Sequence, residues 1–366
     1  MIRSIARTLL RRVMRSSAFR DELWEAGRDL FAQPRVRGGT SDARYYDLPQ
    51  RYRLPAARPR AAPRRAPPIF ITSRFRSGST FLWQLFGRIE HVTSYYEPLN
   101  ERRWFLSSSD TATTDPTHLG VTDYGQAYRG MDDLDALFST AWSYRRLYMD
   151  EASQDRPLQR YIAELIARAP HRPVLQFNRV DFRLRWLRSR FPEAGLLHLY
   201  RCPRNSWMSV QHKGRVPLDA TLDTFAPYDG FYLLPWQRDL RGVFPCLDLE
   251  ADRHPYAVHY LIWRLSYCHG RTWADLSIAY EDLVGDLAGT MQRVAQQFAL
   301  GTIDIGALAA LNSGVLESRW RGYADDDWFA AIEAECEEIL AAYFRTGTRA
   351  PTDAVDVPGR PTRESA

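Results

Sequence analysis

Short apolar runs alternate along this chain with longer stretches whose apolar side chains recur every three or four residues. The runs at 69–72, 174–177, 196–200 and 276–280 predict strands. The spacings at 80–89, 152–167, 207–211, 255–268 and 290–298 predict helices. Strands alternating with helices imply an α/β domain with a parallel sheet sandwiched by helices. In such folds ligands bind beyond the carboxyl ends of the strands, so those loops are where chemistry is sought.

Outside that alternation the texture differs. Residues 2–14 place Ile2, Ile5, Ala6, Leu9, Leu10, Val13 and Met14 on one helical face, with Arg3, Arg7, Arg11, Arg12 and Arg15 largely opposite. Such a helix suits an anionic membrane surface, through residues 2–15, or a packed contact with the domain or a partner subunit; both remain open. Residues 53–68 hold five prolines, five arginines and no acid, the composition of an extended linker. The expected organisation is a basic N-terminal arm over 1–67, a single domain over 68–345 and a loose tail over 346–366. No internal repeat is present.

Charge sharpens the picture. The chain of 366 residues carries a net +5, yet residues 1–68 alone, with 16 Arg and 6 acidic side chains, carry +10. The remainder is therefore −5, which argues against nucleic acid as a partner of the folded domain. Lys213 is the only lysine. The four cysteines, Cys202, Cys246, Cys268 and Cys336, are dispersed. That disfavours a disulfide framework or zinc site and favours a reducing, cytoplasmic setting. No stretch of about 18 uncharged apolar residues occurs, so no transmembrane helix is expected. His198, His254, His259 and His269 show no metal-ligand spacing.

The first strand runs into Ser73-Arg74-Phe75-Arg76-Ser77-Gly78-Ser79-Thr80 and then a helical pattern. A small-residue loop entering a helix N-terminus is an anion site: backbone N–H groups converge, hydroxyls donate and Arg76 adds a planar donor fork. Gly78 allows close backbone approach. The lysine and leading glycine of the Walker pattern are missing, which disfavours NTP hydrolysis. A second strand ends at Arg201-Cys202-Pro203-Arg204, with Ser209 eight residues beyond Arg201, so an arginine and a serine can face one phosphate.

These segments carry a resemblance. Arg76-Ser77-Gly78-Ser79-Thr80-Phe81-Leu82 resembles the 5′-phosphosulfate loop of sulfotransferases that use 3′-phosphoadenylyl sulfate (PAPS), in their carbohydrate-sulfotransferase form. Arg201 and Ser209 resemble the family's 3′-phosphate motif, with Cys202 in place of its usual acid. Ile278-Ala279-Tyr280-Glu281-Asp282-Leu283-Val284 resembles its Tyr-Glu-Asp-Leu segment, Tyr280 as a buried anchor and Asp282 as a helix-start acid.

The resemblance implies a P-loop-like fold, PAPS as donor co-substrate held by Arg76, Ser77, Gly78, Ser79, Thr80, Phe81, Arg201 and Ser209, and no metal. Glu97, in Tyr96-Glu97-Pro98, matches the family's Glu-Pro base segment; Glu97 and Arg76 are the implied catalytic residues. A surface salt bridge from Glu97 to Arg102 or Arg103 is the structural alternative. Arg179 could lend charge to the transferring sulfuryl group, though surface pairing is the default. Ser318-Arg319-Trp320-Arg321-Gly322 could close over the nucleotide. The implied acceptor is a hydroxyl of a carbohydrate or glycolipid. The arm would place the reaction at the inner face of a membrane. Two rivals are a nucleotide or sugar kinase and a non-enzymatic membrane-associated protein with a degenerate nucleotide site.

Overall fold

The computed structural model describes residues 66–109, 115, 118, 120–211, 214–312 and 319–346. The amphipathic pattern at 2–15 and nearly all of the arm and tail lie outside the described residues. Five strands form one sheet in the order β2-β3-β1-β4-β5, with every ladder parallel. They are β1 (Ile69–Ser73), β2 (Val92–Tyr96), β3 (Arg172–Phe177), β4 (Gly195–Tyr200) and β5 (Leu276–Ala279). The helices that cover the sheet or frame its carboxyl end begin with α1 (Ser79–Gly87), α2 (Arg156–Arg168), α3 (Leu184–Arg190) and α4 (Pro203–Val210). Then follow α5 (Leu233–Leu240), α6 (Pro255–Trp273), α7 (Tyr280–Gly285), α8 (Leu287–Phe298), α9 (Ile305–Ala309) and α10 (Asp326–Thr346). This is the α/β architecture, a parallel sheet between helices, that the alternation implied, and it agrees with the P-loop-like fold that the resemblance implied.

β1 is central and buried throughout, so it reads as a continuous apolar run rather than an alternating one. Its Ile69 and Ile71 pack with Leu82, Leu85 and Phe86 of α1 and with Met291 and Val294 of α8. On the other face Phe70 joins Leu158, Tyr161 and Ile162 of α2 and Trp186 of α3. A third cluster, around Trp207, Trp236, Tyr256 and Phe329, binds α4, α5, α6 and α10 together.

The alternation missed β2 because two of its five residues are buried polar groups, Thr93 and Ser94. Both are satisfied: Thr93 Oγ1 accepts from the His171 N–H, and Ser94 Oγ donates to the Trp83 carbonyl. α4 begins at Pro203 rather than Trp207, since proline fits the first helical turn, where an N–H is unneeded. Tyr280 opens α7 instead of ending β5.

The chain leaves β1 toward β2 and leaves β4 toward β5, in opposite directions across the sheet. The adjacent carboxyl ends of β1 and β4 are thus the topological switch point, where a crevice must open.

Candidate active site

A cleft of about 920 Å³ opens at that point. It is lined by Arg76, Gly78, Ser79, Thr80, Phe81, Glu97, Arg201 and Ser209. Eight of the nine residues anticipated from sequence therefore share one cavity. Ser77, the ninth, is buried beneath the loop, and its Oγ has no hydrogen-bond partner.

The loop after β1 and the helix after β4 meet side chain to side chain. Arg76 Nε donates to Ser209 Oγ at 3.0 Å, and Arg201 Nη1 donates to the Arg76 carbonyl at 3.4 Å. Among the described residues no carboxylate lies within ion-pair distance of Arg201, and its buried Nε has no partner. Its guanidinium stacks over Tyr280, 4.5 Å from the ring centroid. Burial holds its pKa below the ordinary arginine value, with Arg76 adding to the effect against Tyr280 and Glu281. A desolvated cation beside another cation is a site prepared for an anion.

α1 supports the same conclusion. Its N-cap, Gly78, sits at φ 89° with no capping side chain, and no acid occupies the first turn, so its leading N–H groups and dipole face the cleft unopposed. Gly78 is needed for a reason the sequence did not disclose: a Cβ there would lie 2.1 Å from Cδ2 of Tyr280. The three motifs thus interlock. The Cys202 N–H donates to Glu281 Oε1 at 3.1 Å, tying the turn after β4 to the start of α7.

Glu97 lies at the opposite pole, 8% exposed. Its carboxylate accepts from Asn178 and Asn100 and, at 3.1 Å, from Arg179 Nη1. The alternative, a surface bridge to Arg102 or Arg103, is absent from these contacts; Arg103 pairs with Asp135. Arg179 is likewise no surface residue. It is 3% exposed and clasps Glu97 and Glu101 together, its Nη2 reaching Glu101 at 2.8 Å. Burial acts to raise the Glu101 pKa, but Arg179 and Tyr232 more than reverse this and hold it below the usual carboxylate value.

Seven non-glycine residues among those described have positive φ, and three of them, Arg76 (63°), Glu97 (38°) and Tyr232 (61°), line this cleft. Backbone held in that region costs on the order of 1–2 kcal/mol per residue and concentrates where side chains must be aimed.

No sequence motif singles out His118, Asp115, Asn178 or Tyr232, all of which lie in or beside the cleft. Asn178 had a usable signal, its place just after the carboxyl end of β3. His118, inside a Ser/Thr/Asp-rich stretch, had none. Of the segment at 318–322, Ser318 is outside the described residues and Arg319 lines the cleft. Trp320 is buried against Phe329 and Arg204, as packing rather than as a cover. No group of three or more His, Cys, Asp or Glu among the described residues is arranged to hold a metal, and none of the described helices is long and apolar enough to cross a membrane.

Fold and cleft together define an α/β protein of P-loop-like build, whose strand-end loops gather arginines and hydroxyls at a helix N-terminus. A family model described as the sulfotransferase family matches residues 67–304, and the chain belongs to that family, the transferases of sulfuryl groups. Among solved structures it is similar to the sulfotransferase domain of the Synechococcus PCC 7002 olefin synthase, with 19% identity and a TM-score of 0.36. That match covers 80% of this chain and 98% of the other. Among curated proteins none matches the chain.

Proposed function

We propose that the protein transfers the sulfuryl group of PAPS to an acceptor hydroxyl of a carbohydrate or glycolipid. The observation that carries this reading is the meeting of Arg76, Ser209 and Arg201, from two separate loops, at the uncapped N-terminus of α1. Arg201 and Ser209 would hold the 3′-phosphate. Arg76, the hydroxyls of Ser77, Ser79 and Thr80, and the leading N–H groups of α1 would hold the 5′ end, with Phe81 against the base. The unpartnered Ser77 Oγ and Arg201 Nε, and a cleft large enough for a nucleotide, fit that ligand.

PAPS supplies an activated sulfuryl group on a phosphate leaving group. Glu97 takes the acceptor's hydroxyl proton while the new O–S bond forms and the sulfur–phosphate oxygen bond breaks. Arg76 and the α1 N-terminus stabilise the negative charge that the leaving 3′,5′-diphosphoadenosine collects. Half-buried Phe231 and Tyr232, beside Glu97 and Glu101, support a sugar acceptor, which needs apolar faces alongside hydrogen-bonding groups. The basic pattern at 2–15 supports action from the cytoplasm on a lipid-linked acceptor at a membrane surface.

The test is a calorimetric titration with 3′,5′-diphosphoadenosine combined with a sulfuryl-transfer assay on wild type and Glu97→Gln. The variant should bind the nucleotide as wild type does and lose turnover by about 10²–10⁴-fold. A folded wild type that ignores the nucleotide would overturn the proposal.

A further inference from the structure

The wall of the cleft that faces Arg76 is built by residues to which none of the three motifs assigns a role. Asp115 Oδ2 accepts from Arg76 Nη1 at 3.1 Å. His118 Nε2 lies 3.5 Å from the same Nη1 and 3.3 Å from Thr80 Oγ1, in the first turn of α1. His118 is itself held from behind, its Nδ1 2.5 Å from the Tyr124 hydroxyl. Tyr124 is buried and stacked on Tyr96, with centroids 4.5 Å apart and planes 16° apart, so His118 is backed by packed aromatic rings.

The hydrogen-bond network accommodates the tautomer that carries the imidazole proton on Nε2. The Tyr124 hydroxyl oxygen accepts from the Asp115 N–H at 3.1 Å. In that tautomer its own hydrogen goes to His118 Nδ1, which accepts it. The proton on Nε2 is then within reach of Thr80 Oγ1 and beside the Arg76 guanidinium. Two donors, Nε2–H and Nη1–H, stand 3.5 Å apart with a hydroxyl alongside, a convergence that one anionic oxygen satisfies. Burial, aided by Arg76, holds the imidazole below its ordinary pKa against the pull of Asp115 and Glu97, so at neutral pH it acts as an uncharged donor.

We propose that His118 donates through Nε2 to the 5′-phosphosulfate end of the donor nucleotide, and that Asp115 is a resident counter-anion on Arg76 which the nucleotide replaces. The inference rests on the donor-nucleotide reading above and adds two residues to it. Asp115 keeps Arg76 neutralised and aimed in the absence of ligand, and its carboxylate competes with the incoming phosphate for the same fork. Each residue acts on affinity with opposite sign.

That opposition makes the test sharp, since general damage would weaken binding in every variant. Titration with 3′,5′-diphosphoadenosine compares wild type with Asp115→Asn, His118→Ala and His118→Gln, with thermal midpoints confirming that each is folded. Asp115→Asn should bind about three- to tenfold tighter, because a neutral amide holds Arg76 less strongly than a carboxylate and does not repel phosphate. His118→Ala should bind about tenfold weaker, as expected for a lost donor to a charged group. His118→Gln, which keeps an N–H donor, should recover part of that loss.

Affinity unchanged or lowered in Asp115→Asn, or unchanged in His118→Ala, would overturn the proposal while leaving the donor site standing. Equal weakness of His118→Ala and His118→Gln would reduce His118 to packing and overturn its part. A folded wild type that binds no nucleotide would overturn this inference together with the function it rests on.

Discussion

Gly78→Ala is the perturbation whose consequence the geometry fixes most closely. At φ 89° the backbone of Gly78 is left-handed, and an L side chain there costs about 1–2 kcal/mol. The added Cβ would also lie 2.1 Å and 2.3 Å from Cδ2 and Cε2 of Tyr280 and 3.1 Å from its Cγ. A contact that reaches Cγ is not relieved by a swing of the far end of the ring, so Tyr280 or the loop must move. Relief of such overpacking costs about 1–3 kcal/mol more. Tyr280 carries Arg201 on its face, so its displacement also gives up a cation–π contact worth about 0.5–1 kcal/mol. The expected loss is therefore about 2.5–6 kcal/mol, read as a shift of the urea midpoint at constant slope. Nucleotide affinity should fall at least about tenfold, because both arginine loops lean on the shifted pair. Tyr280→Ala removes the obstacle, so Gly78→Ala made in that background should cost only the backbone term. A double-mutant cycle should accordingly show a coupling of about 1.5–4 kcal/mol. Additive single effects, or a Gly78→Ala protein within about 0.5 kcal/mol of wild type that binds nucleotide normally, would refute the argued packing.

Acid should destabilise the domain through three buried imidazoles. Burial pushes His198 and His259 down to about 3 and His269 down to about 4, so each stays neutral when folded and takes a proton near pH 6.5 when unfolded. The unfolded state then binds more protons, and stability is full above about pH 6.5 and falls as pH drops toward 4, by about 2 kcal/mol per histidine at pH 5. Asp181, whose pKa burial raises, acts in the opposite sense. Urea midpoints that match at pH 7.5 and pH 5 would refute this. Arg204→Ala should cost about 2–3 kcal/mol in the same assay: the guanidinium bridges α4 to Glu333 of α10 at 2.8 and 2.6 Å, pairs with Asp326 and stacks on Trp320. Wild-type stability in that variant would show that α10 is held by its apolar face alone.

What could be read from the chain follows from how each element is buried. β1 and β4 sit inside the sheet with both faces covered, so their apolar runs stand out. β2 does not, because Thr93 and Ser94 replace apolar burial with hydrogen bonds to neighbouring backbone. α10 carries Phe329, Cys336, Leu340 and Phe344 at helical intervals, but its many acids made the face hard to see. The two loops proposed to hold phosphate stood out because an anion site at a strand–helix junction needs particular residues at particular places, and the structure brings Arg76, Arg201 and Ser209 together there. Arg179 was visible but misjudged as surface, since one sequence cannot show that two glutamates from another loop enclose it. His118 was beyond reach: its significance depends on Tyr124 behind it and Thr80 before it, a relation set only by the packed fold.

The two poles of the cleft are coupled, and the coupling bears on how transfer is organised. Arg179 binds Glu97 at one pole and lies 5.0 Å from the ring centroid of Phe75, which immediately precedes Arg76 at the other. The carboxylate proposed to serve the acceptor and the guanidinium proposed to hold the donor are thus both referred to one buried side chain. In-line transfer demands that arrangement, because attacking and leaving oxygens must keep their separation while charge passes from one side to the other. It also explains why Arg76, Glu97 and Tyr232 are held with positive φ in the cleft wall. Each is fixed by partners on other elements, Ser209 for Arg76, Asn178 and Arg179 for Glu97, and Glu101 for Tyr232, so the strain is sustained by the assembled site and not by its own loop. A site built this way is aimed before any ligand arrives, and its preorganisation resides in the contacts between loops.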